Sequence, residues 1–345
     1  MSQARRWPIA LVIGLILGCT AAGRRERVPD RKLLVSLGRS LFFEKRLSTS
    51  GATSCASCHL PDRAFADDRR FSVGDRGRET VRNSPSLLDR PAVGYQFWDG
   101  RAETLVQQVF GPLEDPDEMS VSIEAAVVRL KALPEYRLQF YEVFGGGISA
   151  ERLARSIAAF VETLHTGPSD YEVAKAQGIL SARVVRGEAL FRGKGKCDVC
   201  HSGRRFTDER FHNTGISWKG GHDLGRGKLS GRSEDTRAFK TPSLLELVRT
   251  APYMHDGSLA TLEAVVEHYA SGGAPEDGFQ DPVIAPIDLG AAEHEDLVAF
   301  LRALSGTTSS LERPDGSDAA GPQAVYPSLP RTVGDIGNRL DRGHG

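Results

Sequence analysis

The residues best suited to chemistry lie in two copies of one five-residue pattern, Cys-x-x-Cys-His. The copies are Cys55-Ala56-Ser57-Cys58-His59 and Cys197-Asp198-Val199-Cys200-His201. Two thiols at this spacing can add to the vinyl groups of a porphyrin, and the histidine after them can bind its iron. A structural zinc site is the alternative, but zinc sites usually take their histidines from another segment. The pattern therefore predicts two covalently bound c-type haems.

The N-terminal segment predicts export. Arg5 and Arg6 precede an apolar run, residues 7–17, that is short for a membrane span. The string Leu17-Gly18-Cys19-Thr20 is similar to the cleavage site of bacterial lipoproteins. We therefore expect residues 1–19 to be a signal peptide and Cys19 to carry a lipid anchor. An ordinary signal peptide with an incidental cysteine is the alternative. Export to the periplasm agrees with covalent haem, and this assignment leaves none of the five cysteines for a disulfide.

Composition limits the number of domains and the kinds of partner. The chain has 345 residues and a formal net charge of −1, without a basic stripe, so nucleic acid is not an expected partner. Residues 306–345 are rich in Ser, Gly, Pro, Asp and Arg and predict a disordered tail. The remaining length, about 280 residues, suits two domains.

Four further landmarks recur in the same order around the two Cys-x-x-Cys-His patterns. First half against second, they are Gly38-Arg39-Ser40-Leu41-Phe42 and Gly187-Glu188-Ala189-Leu190-Phe191, Ser84-Pro85-Ser86-Leu87-Leu88 and Thr241-Pro242-Ser243-Leu244-Leu245, Trp98-Asp99-Gly100 and His255-Asp256-Gly257, and Ala159-Phe160-Val161 and Ala299-Phe300-Leu301. This order predicts an internal duplication. We expect two cytochrome c domains, residues 30–175 and 176–305, each holding one haem.

Apolar spacing predicts an all-α fold. Apolar residues recur with the period of a helix in three segments, represented by Leu33, Leu37 and Leu41, by Ile123, Val127 and Leu130, and by Leu153, Ile157 and Phe160. Strand signals are scarce and glycine-rich loops separate the segments. Each half is therefore expected to contain a helix, the haem pattern, a long loop around the haem and a closing helix.

Two motifs outside the haem patterns carry a resemblance to a known family. They are Phe97-Trp98-Asp99-Gly100-Arg101 and Tyr253-Met254-His255-Asp256-Gly257. With them, the chain resembles the bacterial di-haem cytochrome c peroxidases, which include the MauG-type enzymes, from about residue 34 to 304. The resemblance implies one haem that reacts with peroxide and one that stores or relays electrons. It also implies that Trp98 lies between the haems and carries an electron; simple burial beside a haem is the alternative role.

A haem that reacts with peroxide needs a free position opposite its histidine. The segment between His59 and Trp98 contains no histidine and no methionine that could fill it. Asp75 stands where many family members have a ligand, but nearby arginines suggest that it is paired and solvated. We therefore predict an open first haem that needs no reductive activation.

The resemblance assigns the proton transfer to Glu118, with Gln108 and Pro112 lining the same pocket. A carboxylate in a restricted pocket suits this task, since it can take a proton from one peroxide oxygen and return it to the other. The alternative for Glu118 is a favourable charge before the helix that starts near Ile123.

The second haem takes a methionine or a tyrosine in this family, and here Tyr269 matches that position, as in MauG-type members. A tyrosinate is a hard anionic ligand that stabilises oxidised iron. His268 competes, because helix neighbours point about 100° apart and only one can face the iron. Met254 is more typical of core packing. His255 is expected to bond a haem propionate or the backbone.

The family also binds a calcium ion between its domains. The matching positions are Asn83, Thr250 and Pro252, which would bind largely through carbonyl oxygens. Some peroxidases of this type form homodimers, so a homodimer is a further expectation.

Three functions are consistent with the sequence. The first is a periplasmic peroxidase that reduces hydrogen peroxide with electrons from a small cytochrome or cupredoxin. The second is a MauG-like oxidase that uses peroxide equivalents to modify a partner protein, which Tyr269 favours. The third is a non-enzymatic electron carrier, which the open first haem argues against. We favour the first.

Overall fold

The computed structural model describes residues 27–91, 93–216, 223–273 and 278–306. The predicted signal peptide with Cys19, and the predicted tail from residue 307, lie outside the described residues. The described part is dominated by helices, as the apolar spacing predicts. No helix in these ranges has both the length and the apolar character that crossing a membrane requires.

The described ranges contain ten α-helices and two small antiparallel sheets. The helices are α1 Arg31–Phe42, α2 Leu105–Glu114, α3 Ile123–Ala132, α4 Pro134–Phe144, α5 Ala150–Val161, α6 Asp170–Gln177, α7 Ala182–Arg192, α8 Gly227–Ser230, α9 Leu262–Ala270 and α10 Ala291–Ala303. One sheet pairs β1 (Val93–Gln96) with β2 (Ala102–Thr104), and the other pairs β3 (Phe211–His212) with β4 (Phe239–Lys240).

The first apolar cluster is built around the packing of α1 against α5. Helix α1 begins at Asp30, whose carboxylate accepts hydrogen bonds from the first-turn N–H groups of Lys32 and Leu33. Phe42 at its end packs against Phe160 of α5, with ring centroids 5.2 Å apart. The helices predicted from the spacing of leucines and phenylalanines in these two segments are therefore confirmed.

The second apolar cluster is built in the same way from α7 and α10. Phe191 of α7 packs against Phe300 of α10, with ring centroids 5.1 Å apart. Helix α6 joins this cluster, because Tyr171 meets Phe300 edge to face at 5.3 Å. Helix α6 therefore packs against α10 of the second half.

A glycine allows the close approach of the two helices in each cluster. A methyl group on Gly38 of α1 would overlap the carbonyl oxygen of Ser156 in α5. A methyl group on Gly187 of α7 would overlap the carbonyl oxygen of Asp296 in α10. The glycine that opens each matching Gly-x-x-Leu-Phe string is thus required by contact with a neighbouring backbone, which cannot move aside as a flexible side chain can.

We expect Gly38→Ala to lower the free energy of unfolding by about 2–3 kcal/mol, because overpacking a close helix crossing forces the backbones apart. Urea denaturation followed by circular dichroism measures the change. Gly147→Ala is the matched control, since no atom lies within 4 Å of its added methyl group. Equal stability of the two variants would contradict this account of the crossing.

Candidate haem-binding active site

Both Cys-x-x-Cys-His patterns adopt the same local structure. Each starts with a short 3-10 turn, Cys55–Ser57 in the first half and Cys197–Val199 in the second. The N–H of His59 donates to the carbonyl of Cys55 at 3.0 Å, and the N–H of His201 donates to the carbonyl of Cys197 at 2.9 Å. The turn therefore brings the two cysteines and the histidine of each pattern to the wall of one cavity of about 960 Å³.

The two pattern histidines are oriented for binding a metal through Nε2. Nδ1 of His59 donates to the carbonyl of Phe65 at 2.9 Å, and Nδ1 of His201 donates to the carbonyl of Phe206 at the same distance. Such a bond fixes the ring and leaves Nε2 unprotonated and free to bind. Burial lowers the pKa of both histidines, which keeps the rings neutral.

The cavity wall fits a porphyrin with reactive vinyl edges. The four cysteines of the patterns are free thiols. Burial raises the pKa of Cys55 to about 12 and that of Cys58 to about 11. The thiols therefore lie in apolar surroundings, where neutral thioethers also belong.

The three residues expected above the first haem lie on the same cavity wall. Gln108 and Pro112 are one turn apart on α2, and Glu118 lies in the turn after that helix. The turn is held by backbone bonds, since the carbonyl of Glu118 accepts from the N–H of Asp75 at 2.6 Å and the N–H of Met119 donates to the carbonyl of Pro112 at 3.0 Å. The structure thus brings all three together in the cavity that His59 lines.

The Glu118 carboxyl group is tuned for proton exchange near neutral pH. Burial, helped by the nearby charges of Asp115 and Asp117 and opposed by Arg101, raises its pKa to about 7. The alternative role before a helix is not supported, because α3 starts at Ile123 with Ser122 as its N-cap.

Asp75 has only part of the surroundings that the sequence suggests. It was expected to be paired with an arginine and solvated; Arg76 does lie 4.0 Å from its carboxylate, but the side chain is fully buried. Its carboxylate accepts hydrogen bonds from the backbone N–H of Ser50, at 2.9 Å, and from the Ser50 hydroxyl. It is absent from the cavity wall, and the expectation of a solvated carboxylate is therefore wrong. Ser50 could not be identified as its partner from sequence, because the two residues lie on different loops.

In the second half, the two candidate ligands on α9 separate as helix geometry requires. Tyr269 lines the cavity. His268 is turned away, and its Nε2 donates to the carbonyl of Thr214 at 2.9 Å. Burial raises the pKa of the Tyr269 phenol, and a hydrogen bond with Thr214 opposes this shift. Met254 also lines the cavity, on a residue with a left-handed backbone, φ 76°.

A family model described as di-haem cytochrome c peroxidase matches residues 32–178. MauG from Methylorubrum extorquens is 42% identical over 306 residues, which cover 84% of this chain and 85% of that protein. The chain belongs to the di-haem cytochrome c peroxidase family. Cytochrome c551 peroxidase from Nitrosomonas europaea is 32% identical, covering 83% of this chain and 84% of that protein.

Two solved structures share the fold of this family member. One is a MauG-like protein associated with microbial copper homeostasis, with a TM-score of 0.76 and 33% identity, covering 85% of this chain and 94% of that one. The other is the di-haem peroxidase BthA from Burkholderia thailandensis, with a TM-score of 0.71 and 27% identity, covering 81% of this chain and 87% of that one.

Trp98 of this di-haem peroxidase family member contacts both halves of the chain. Its indole Nε1 donates to the carbonyl of Asn83 at 2.8 Å, and its own carbonyl accepts from the N–H of Lys240 at 2.8 Å. Its side chain also lines the cavity. Trp98 therefore lies at the junction of the halves.

The residues expected to bind calcium line this cavity too, but their atoms have other partners. The side-chain NH₂ of Asn83 donates to the carbonyls of Arg69 and Arg70, and the Thr250 hydroxyl donates to the carbonyl of Leu247. Pro252 follows a cis peptide bond. In the described ranges, the cluster of metal-ligating side chains is instead Cys200, Asp208 and His212, which includes a cysteine of the second haem pattern.

A charged network beside Trp98 could not be identified from the sequence. Arg82 lines the cavity and bonds to Asp99 at 2.7 Å and to Asp223 at 2.7 and 2.9 Å. Its guanidinium lies over the ring of Phe239, which stacks on His255 at 3.5 Å. Arg82 and Asp223 are 141 residues apart in the sequence. Their opposite charges are the only sequence signal for this pair.

The His255 ring stacks on Phe239 and is not part of the cluster of metal-ligating side chains found in the described ranges. Burial lowers its pKa to about 4, so the ring is neutral. The backbone carbonyl of His255 accepts from the N–H of Asn83 at 2.8 Å. This bond links the second Asp-Gly motif to the loop that precedes Trp98.

Proposed function

We propose that this protein is a periplasmic peroxidase that reduces hydrogen peroxide to water with electrons from a small cytochrome or cupredoxin. The observation that carries the proposal is the position of Glu118, a carboxyl group with a pKa of about 7 on the same cavity wall as His59. A group with this pKa can both accept and return a proton at neutral pH. Family membership supports the same reaction class.

Each half of the chain is proposed to be a cytochrome domain that holds one c-type haem, and the two to descend from a duplication. The matched helix pairs, glycines and histidine-to-carbonyl bonds support this proposal. The packing of Tyr171 against Phe300 supports a boundary just before α6. His59 and His201 would bind the irons, and the cysteines of both patterns would form the thioethers. When bound, the first haem supplies the iron that receives peroxide.

The protein's own residues then handle the substrate and its proton. Glu118 accepts a proton from one oxygen of hydrogen peroxide and returns it to the departing oxygen. Gln108 and Pro112 narrow the space in front of Glu118, which limits competing water. Asp115 and Asp117 help to keep the pKa of Glu118 near 7, where both directions of proton transfer are accessible.

Trp98 is proposed to pass electrons between the halves, since it is bonded to one residue from each. Calcium is proposed at Asn83, Thr250 and Pro252 through backbone carbonyls, of which that of Asn83 also accepts from the Trp98 indole. Export, the Cys19 anchor and a homodimer stay predictions from sequence.

A MauG-like oxidation of a partner protein is the second candidate. Tyr269 on the cavity wall, with His268 turned away, favours it, because an anionic oxygen ligand stabilises oxidised iron. The 42% identity to MauG of Methylorubrum extorquens also favours it. The two candidates share the first step with peroxide and differ in where the electrons come from.

One stopped-flow experiment separates these functions. The ferric protein is mixed with hydrogen peroxide, its Soret band is followed, and reduced cytochrome c is then added. We expect rapid oxidation of the cytochrome. A long-lived oxidised state that does not react with the reduced cytochrome would support the protein-modifying oxidase. A Soret band that does not respond to peroxide would contradict both and leave an electron carrier.

A further inference from the structure

Three cations surround a single carboxylate between the two halves of the chain. Glu209 is 3.0 Å from the Lys240 ammonium through Oε2, and 3.5 Å from the Arg90 guanidinium through the same oxygen. Its Oε1 is 3.5 Å from the Arg205 guanidinium. Among the described residues that act on this group electrostatically, Glu209 is the one acid that serves all three cations. With Lys240 protonated, the cluster therefore has two positive charges in excess.

Two of the three cations, Lys240 and Arg90, are buried and face the cavity. The side chain of Lys240 is 6% exposed and that of Arg90 is 13% exposed, and both line the cavity wall. The other bonds of Arg90 reach the neutral oxygens of Tyr95 and Gln96. Burial, with the repulsion of Arg90, lowers the pKa of Lys240 to about 7. A buried ammonium without enough counter-charge is costly, so this wall suits an anion that enters the cavity.

The neighbouring arginine shows that charge is balanced elsewhere on this wall. Arg82 has two carboxylate partners, Asp99 and Asp223, and needs no further anion. In the internal repeat, Lys240 corresponds to Asn83, which is neutral. The lysine of the cluster therefore has no charged counterpart at the matching position of the first half.

The cluster also lies beside the second pattern histidine. Arg205 immediately precedes Phe206, whose carbonyl accepts from Nδ1 of His201 at 2.9 Å. Lys240 lies two residues before Pro242, whose carbonyl also interacts with His201. Two of the three cations thus flank the segments that orient the His201 ring.

We propose that Lys240 and Arg90, supported by Arg205, bind the propionate carboxylates of the haem that His201 holds. A haem brings two carboxylates, which equal the excess charge of the cluster, and Glu209 keeps the cations in place before the haem is attached. The inference rests on the proposed binding of a c-type haem by His201. Arg90 comes from the first half, so this contact would also fix the second haem relative to the first.

Redox titration of the purified di-haem protein tests the proposal without peroxide. We expect Lys240→Met to shift the reduction potential of the His201 haem to lower values, because a cation that stabilises the reduced state is lost. Glu209→Gln should shift the same potential to higher values. Lys240→Arg should leave it close to that of the unaltered protein.

Lys175→Met is the matched control, because it removes a positive charge from an exposed ion pair in the same half. Its potential should not change. No shift in Lys240→Met, shifts of the same sign in Lys240→Met and Glu209→Gln, or a shift confined to the His59 haem would overturn the proposal.

A free anion is the other source of negative charge, and the same titration excludes or identifies it. Measurements at low and high phosphate, at constant ionic strength, should give one potential if propionates hold the site. A potential that moves with phosphate would overturn the proposal in favour of a free anion. Failure of the peroxidase assay would leave these potentials unaffected, so the two proposals fail separately.

Discussion

Glu118→Gln is expected to slow the reaction of the ferric protein with hydrogen peroxide by about 100- to 10,000-fold, the usual range for loss of a positioned acid–base group. Glutamine keeps the shape of the side chain but cannot accept the proton. Stopped-flow measurement of the Soret change against peroxide concentration gives the second-order rate constant. The Glu118 side chain makes no hydrogen bond within the described residues, so the substitution should leave the fold unchanged.

The proton role of Glu118 also predicts the direction in which the rate constant changes with pH. The proton acceptor must be ionised, and the pKa of Glu118 is raised to about 7. The rate constant should therefore fall as the pH drops through about 7 and reach a plateau above it. In Glu118→Gln, this change of the rate constant around pH 7 should be absent. Glu114→Gln, on an exposed residue of the same segment, is the matched control and should keep both rate and pH profile. An unaltered rate in Glu118→Gln would remove the proton role.

Local sequence patterns predict much of the helical framework. The apolar residues of α1, α3 and α5 repeat every three to four positions because each helix buries one face. Helix α6 was not predicted, although the N-cap Ser169 and Glu172 in the first turn form a capping box that could have revealed its start. Its assignment to the second half could not be predicted, since it depends on the contact of Tyr171 with Phe300.

The candidate site likewise has a part that the sequence predicts and a part that it does not. The haem patterns are local, so their geometry follows from residues a few positions apart. The charged groups around them are not local. Glu209 meets Arg90 across 119 residues, and Arg82 meets Asp223 across 141. Such pairs depend on how the two halves pack, and a single sequence read by itself carries no signal for them.

Tyr269, the proposed ligand of the second haem, also shows how a local rule and the fold together favour one of two candidates. Helix geometry states that Tyr269 and His268 cannot both face one iron, but not which of them does. The choice follows from Thr214, whose carbonyl accepts a bond from His268. This leaves the phenol on the cavity wall.

Tyr269→Phe is therefore expected to change the second haem and leave the first unchanged. Phenylalanine fills the same space but has no oxygen, so the haem held by His201 should become high-spin in the ferric state, as its Soret band and electron paramagnetic resonance spectrum would show. Its reduction potential should rise, because an anionic ligand favours the oxidised state. His268→Gln is the matched control, since glutamine can still donate to the Thr214 carbonyl, and it should keep the original spectrum. An unchanged spectrum in Tyr269→Phe, or a change in His268→Gln, would show that the ligand is misassigned.

Because the same oxygen would stabilise a long-lived oxidised state, Tyr269→Phe should also shorten the lifetime of that state after peroxide. This lifetime links the ligand directly to the choice between peroxidase and protein-modifying oxidase.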